Sequence, residues 1–261
     1  MKTILFSLVL FYFNFSLAQE IQTKFISEIS LQIDNFIGVD DFQNLYYIEN
    51  NILYKKTDKR TFSYSNVNLG KLTSVSIQNP FKLILFYKDF NSVIILDNNL
   101  NELSDKIDFT QETLFNNVLF VSSSSENNIW LYADDNKLHV YDYQKLSSEI
   151  QTQAITFYQI DFQPKSLKST YKNVWVLSNL EVIQFNEYGN YIQSFDLENV
   201  DHIFPFRKGF IYVQGKFLFY RTDEQSTSIS LDYNHSIKDI YINSNSIMLY
   251  DGSNVYQYNF L

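Results

Sequence analysis

Leu45-Tyr46-Tyr47-Ile48-Glu49-Asn50-Asn51-Ile52-Leu53-Tyr54 decides the fold: a short apolar run, a polar turn, then a second apolar run. β-Branched and aromatic residues on both sides of a polar turn read as a hairpin. The pairing recurs six times, ending with Ile247 to Tyr250 and Val255 to Tyr258 around Asp251-Gly252-Ser253-Asn254. Second-strand anchors fall at Leu45, Leu83, Ile129, Val174, Phe210 and Ile247, in steps of about 36 to 46 residues, the size of a propeller blade. The first unit shows the full pattern, with strands expected at Phe36 to Val39, Leu45 to Ile48, Ile52 to Lys55 and Thr61 to Tyr64. Four such strands make one blade, so the chain is expected to be an all-β, six-bladed β-propeller. Helical periodicity is absent, Thr110 to Phe115 amounting to one turn at most. A seventh blade around Phe109 to Leu119 or Ile155 to Leu167 is the competing count.

The two ends of the chain complement each other. After its anchor the sixth unit has one more strand, Asn254 to Leu261, and lacks a fourth. Lys24 to Ile33 (KFISEISLQI) is strand-like and precedes the first strand of the first unit. Assigning this segment, 24–33, to the last blade closes the ring and removes an open edge.

Met1 to Ala18 has the order of a secretory leader: Lys2, an apolar run from Ile4 through Phe13, and Ser16-Leu17-Ala18 as a cleavage signal. The apolar run is shorter than the roughly 20 residues a membrane span needs. Residues 1–18 are therefore read as a signal peptide and 19–261 as one propeller domain, exported and most simply periplasmic, with an extracellular destination as the alternative. With Cys 0 there is neither a lipoprotein route nor a disulfide. Stability falls to packing, which Phe 24 and Tyr 20 suit, large flat rings being favoured between sheets.

The formal charge of -9 repels nucleic acid and anionic lipid. Two local basic groups, Lys55, Lys56, Lys59 and Arg60, and Lys165, Lys168 and Lys172, lack interleaved glycine or a recognition helix and read as solvated rim. His139, His202 and His235 form no metal-binding spacing, and their places in the blades differ: His139 falls in a third strand, His202 and His235 at or before first strands. Asp40 with Asp41, and Asp134 with Asp135, fall in turns, where Asp is favoured for backbone reasons. No calcium loop, phosphate loop or nucleophile elbow is present, and no cofactor or metal is expected. Carboxylates on separate blades leave a carbohydrate-binding or carbohydrate-cleaving secreted propeller open as an alternative.

Aromatic residues recur at turns. Phe42, Phe81, Tyr171 and Phe206 each precede a second strand, in turns that share one face, where they either cap the core or form a rim for a protein or glycan partner. On the opposite face the turn Tyr87-Lys88-Asp89-Phe90-Asn91-Ser92 places Phe90 at its tip, to tuck in or to meet a partner.

The stretch Asn79 to Leu103, NPFKLILFYKDFNSVIILDNNLNEL, resembles exported β-propellers of Bacteroidota, and among them the periplasmic plug component of the type 9 secretion translocon. Asn128-Ile129-Trp130-Leu131 and Asn173-Val174-Trp175-Val176 echo the repeat start of other propeller families, but the glycine is missing. The resemblance implies a non-enzymatic protein-interaction module docking onto an outer-membrane complex; the turns themselves supply Tyr87, Lys88, Phe90, Phe42, Phe81, Tyr171 and Phe206 as candidate partner-binding residues.

Overall fold

The computed structural model describes residues 20–112 and 117–261. The leader assigned to 1–18 and part of the turn at 110–115 lie outside them. Six four-stranded antiparallel sheets follow one another along the chain. Blade 1 is Asn35–Val39, Leu45–Glu49, Ile52–Lys56 and Thr61–Tyr64. Blade 2 is Ser74–Ser76, Leu83–Tyr87, Ser92–Leu96 and the short Ile107–Asp108. Blade 3 is Val118–Ser123, Asn128–Ala133, Leu138–Asp142 and Ser147–Gln151. Blade 4 is Ser166–Ser169, Asn173–Leu177, Glu181–Asn186 and Tyr191–Asp196. Blade 5 is His202–Phe206, Gly209–Gln214, Phe217–Arg221 and Ser226–Ile229.

Blade 6 takes Asp239–Ile242, Ser246–Tyr250 and Asn254–Phe260 from the end of the chain and Thr23–Ser30 from its beginning. The N-terminal strand lies antiparallel to Asn254–Phe260, from Thr23 opposite Phe260 to Ser30 opposite Asn254, with a bulge at Ile26. It stops before Ile33, whose backbone N–H and carbonyl both bind the Tyr250 hydroxyl, at 3.1 and 2.9 Å. Upstream, Ile21 bridges to Ile229 of blade 5, so the N-terminal segment ties blade 6 to its neighbour as well.

The count is six blades, not seven. The long interval before blade 3 holds the single helical turn Phe109–Glu112, and the one before blade 4 holds the 3-10 turn Ile155–Phe157. Both seat apolar side chains, Phe109 and Ile155, against neighbouring sheets, which accounts for their strand-like composition.

Six apolar clusters form the core, one at each junction between blades. Alternation along a second strand explains this. In Leu83–Tyr87, Leu83, Leu85 and Tyr87 point toward blade 1 while Ile84 and Phe86 point toward blade 3. A strand covered on both faces reads as a continuous apolar run, which is why these segments stand out in the sequence. First strands of neighbouring blades lie side by side around the axis. The antiparallel order then places the turns after first and third strands on one face, and those after second strands on the other.

Two glycines are required by close approach. Gly38, at φ +146, lies under the Tyr241 ring of blade 6, and a Cβ there would overlap that ring. At Gly209 a Cβ would overlap the backbone carbonyl of Arg221 on the adjacent strand.

Candidate functional site

Between blades 1 and 2, on the face carrying the turns after first and third strands, four turns surround an open cleft of about 390 Å³. Phe42 and Asn44 come from the first turn of blade 1, Thr57, Lys59 and Arg60 from its second; Phe81 and Asn98 with Asn99 come from the corresponding turns of blade 2.

Each turn is fixed from within. The buried Asp40 carboxylate accepts from the Phe42 and Asn44 amides at 3.0 and 2.9 Å, from the Asn44 side chain at 2.9 Å and from the Tyr46 hydroxyl at 2.9 Å. Burial, with Asp40 second, raises the Tyr46 hydroxyl far above its usual range, so it stays a donor. Asp97 repeats the device four residues ahead of Asn101, accepting from the Asn99 and Asn101 amides at 2.7 and 2.9 Å. Burial opposes ionisation of Asp97, yet the Asn101 and Asn99 hydrogen bonds and Lys55 hold its carboxyl below the ordinary range. Both turns place a residue in the left-handed region, Gln43 at φ 63 and Leu100 at φ 64. The Thr57 hydroxyl accepts from the Arg60 amide at 3.1 Å, shaping the basic turn. Asn79 accepts from the Phe81 amide at 2.9 Å.

Two lysines clamp these turns to the next blade. Lys55 is buried rather than on a solvated rim: its ammonium donates to the Asn98 carbonyl at 2.7 Å and lies 4.0 Å from Asp40. Burial lowers its pKa, with Asp40 and Asp97 opposing. Lys82, next to Phe81, donates to the carbonyls of Ser124, Glu126 and Asn128 in blade 3 at 2.8, 2.6 and 2.9 Å. Burial pushes its ammonium down to about 8.

The cleft wall left exposed is aromatic and cationic. Phe42 and Phe81 are 61% and 59% accessible and meet edge to face with centroids 5.8 Å apart. Arg60 lays its guanidinium over the Phe62 ring at 4.2 Å. Lys59 and Arg60 take part in no ion pair among the described residues.

The other residues singled out from the sequence lie elsewhere. Tyr171 is exposed in the corresponding turn of blade 4, with no place in the cleft. Phe206 is not in a turn: it ends the first strand of blade 5, is 3% exposed, and packs on Phe260 at 4.6 Å and Tyr220 at 5.4 Å. Tyr87 is 1% exposed within the second strand of blade 2, so neither it nor Phe206 offers a surface. Lys88 and Phe90 do occupy a turn on the opposite face, where Phe90 is 49% exposed with its ring edge beside Gly70 and Lys88 lies over the Phe120 ring at 5.7 Å. Asn44, Thr57, Asn98 and Asn99 were not foreseen. Their signal was available in the paired spacing of Asp40 with Asn44 and Asp97 with Asn101.

The histidines do not converge. His139 is buried in a third strand, 3.0 Å from Asp135 and 3.3 Å from Ser148; burial lowers its pKa, with Asp135 opposing. His235 stacks on Tyr256 at 5.1 Å. His202 begins the first strand of blade 5, and burial followed by Lys168 lowers its pKa. Lys168, in the first strand of blade 4, lies over the Phe204 ring at 5.5 Å. Asp239, which accepts from the Phe36 amide at 2.9 Å and has its pKa raised by burial, is the one carboxylate that the first strands carry among the described residues. No group of three or more metal-ligating side chains occurs among the described residues.

No family model matches the chain, and no curated protein does. Solved structures do. Virginiamycin B lyase from Staphylococcus aureus is similar at a TM-score of 0.60 and 9% identity, over 86% of this chain and 79% of that one. The Pan2 WD40 domain of Neurospora crassa is similar at 0.59 and 11%, over 87% and 74%. A chain of a mitotic checkpoint complex is similar at 0.60 and 8%, over 99% and 98%. One of these is named as an enzyme and another comes from a protein complex; at such identities the likeness establishes a β-propeller and leaves the activity to the site itself.

Proposed function

We propose that this propeller is a non-enzymatic protein-interaction module of an exported compartment, docking onto an outer-membrane complex of the kind formed by the type 9 secretion translocon. The observation that carries the reading is the pair Phe42 and Phe81, held more than half exposed on turns that buried Asp40 and Lys82 fix in place. Apolar rings left in water on rigid supports are a cost to an isolated protein and an asset at an interface, where aromatic anchors carry much of the binding energy. Resemblance of Asn79 to Leu103 to exported propellers supports the compartment, as does the leader-like order of 1–18. A carbohydrate-cleaving role calls for two carboxylates about the scissile bond, and the first strands supply Asp239 alone among the described residues.

The test is capture of the tagged, full-length protein from its own cell envelope. An outer-membrane protein should co-purify with wild type and be lost on the double change Phe42→Ser and Phe81→Ser. Recovery of the same partner from the double variant would reject this face as the docking surface, and localisation in the cytoplasm would reject the compartment.

A further inference from the structure

We propose that the cleft between blades 1 and 2 binds an extended acidic segment of a partner protein that carries an apolar anchor side chain; the inference rests on the protein-interaction reading and names its ligand chemistry. Charge sets the sign. The chain is acidic overall, at -9, yet the rim here presents Lys59 and Arg60 without ion-pair partners among the described residues. Lys55 adds no free charge, since Asp40 faces it and the Asn98 carbonyl takes its ammonium. Two cations without ion-pair partners among the described residues, on an otherwise acidic surface, select a local acidic patch.

Geometry sets the rest. Arg60 rests with its guanidinium carbon 4.2 Å from the Phe62 ring centroid, and a guanidinium's N–H groups can grip a carboxylate in a forked pair. Phe42 and Phe81 form an apolar wall suited to one aliphatic or aromatic side chain. Asn44 and Asn99 line the same cleft, and primary amides match the alternating donors and acceptors of an extended backbone. Single-stranded nucleic acid fits less well. Its binders offer ring faces to successive bases along a basic track, whereas these two rings meet edge to face and the cations number two.

The experiment is fluorescence anisotropy with the full chain and three labelled probes: a seven-residue Asp/Glu peptide with a central Leu, the same peptide with Lys in place of every acid, and an oligo-dT. Only the acidic peptide should bind. Affinity should fall at least tenfold on the double change Lys59→Glu and Arg60→Glu, which alters exposed turn positions and leaves the fold intact by circular dichroism, and by a similar factor on Phe42→Ser. Raising salt from 50 to 500 mM should weaken it further. Equal binding of the lysine peptide, preference for oligo-dT, or no binding of the acidic peptide at millimolar concentration each overturns the proposal. Envelope capture separates the two levels: a partner retained without peptide binding defeats the ligand chemistry alone, and peptide binding without an envelope partner defeats the docking role alone.

Discussion

Two neighbouring junctions on the same face use the same device and end differently. Between blades 2 and 3, Lys82 crosses the gap and places its ammonium on three backbone carbonyls, with the Tyr143 ring 6.0 Å away. Between blades 1 and 2, Lys55 crosses the gap and finds one carbonyl, with Asp40 4.0 Å off. The first junction is closed by its lysine. The second keeps an open cleft beside it, rimmed by two exposed rings and two cations without ion-pair partners among the described residues. A propeller repeats its blades but not its junctions, and the difference marks where side chains are left exposed rather than used to hold the ring together.

Replacing Lys82 by Met breaks the closed junction and should show the largest effect. Three carbonyls lose a shared donor, and a buried network with one member removed typically costs about 2–4 kcal/mol. Denaturant midpoints at pH 7 check this; a loss under about 1 kcal/mol would mean that water replaces the ammonium and the clamp is incidental.

The pH dependence sharpens the same contrast. Because burial pushes Lys82 down to about 8 from the ordinary 10.5, the unfolded chain binds the extra proton between those values. Wild-type stability should therefore rise with pH from about 8 to 10 relative to Lys82→Met, by on the order of 1–3 kcal/mol, and the gain should be absent below pH 8. Above pH 10 tyrosine takes over with opposite sign. Burial pushes Tyr87 and Tyr132 up to about 12, so the unfolded chain loses protons first and stability falls. Parallel stability curves for wild type and Lys82→Met across pH 8–10 would show that the ammonium is not desolvated as the geometry implies.

At the open junction Lys55→Met should cost less, about 1–2 kcal/mol. The Asn98 carbonyl loses its donor, but Asp40 keeps four hydrogen bonds, three from its own turn and one from Tyr46 in the strand that follows. A loss equal to that of Lys82→Met, measured by the same denaturant titration, would erase the distinction between the junctions.

Much of this architecture was legible because a blade is a local object. Second strands buried on both faces declare themselves as unbroken apolar runs such as Leu83–Tyr87, and the pairing of chain ends follows from one surplus and one missing strand. Which way a side chain faces across a junction is not written in the local sequence. Phe206 reads as a turn residue because it falls a few residues before the second strand anchored at Phe210. Pro205 is tolerated since a first strand is an edge strand, and Arg207 at φ 50 makes the turn so tight that Phe206 stays in the ladder opposite Gly209. Lys55 reads as a surface charge, and nothing in the local pattern distinguishes Lys82: their acceptors, Asn98, Ser124, Glu126 and Asn128, stand some forty residues on.

The smallest effect is the one that would tell most about the cleft. Phe42 and Phe81 resemble Phe206 in composition and chain position but are 61% and 59% exposed, and their turns are held by Asp40, Asn79 and Lys82 rather than by the rings. Changing both to Ser removes an edge-to-face contact between partly hydrated rings, so the stability change should stay within about 0.5 kcal/mol. Measured by thermal and denaturant unfolding, such neutrality would show that the rings do not serve the fold, which is what an interaction surface requires. A loss above about 1.5 kcal/mol would instead make the pair a structural cap on the junction, and the open cleft would then resemble its closed neighbour after all.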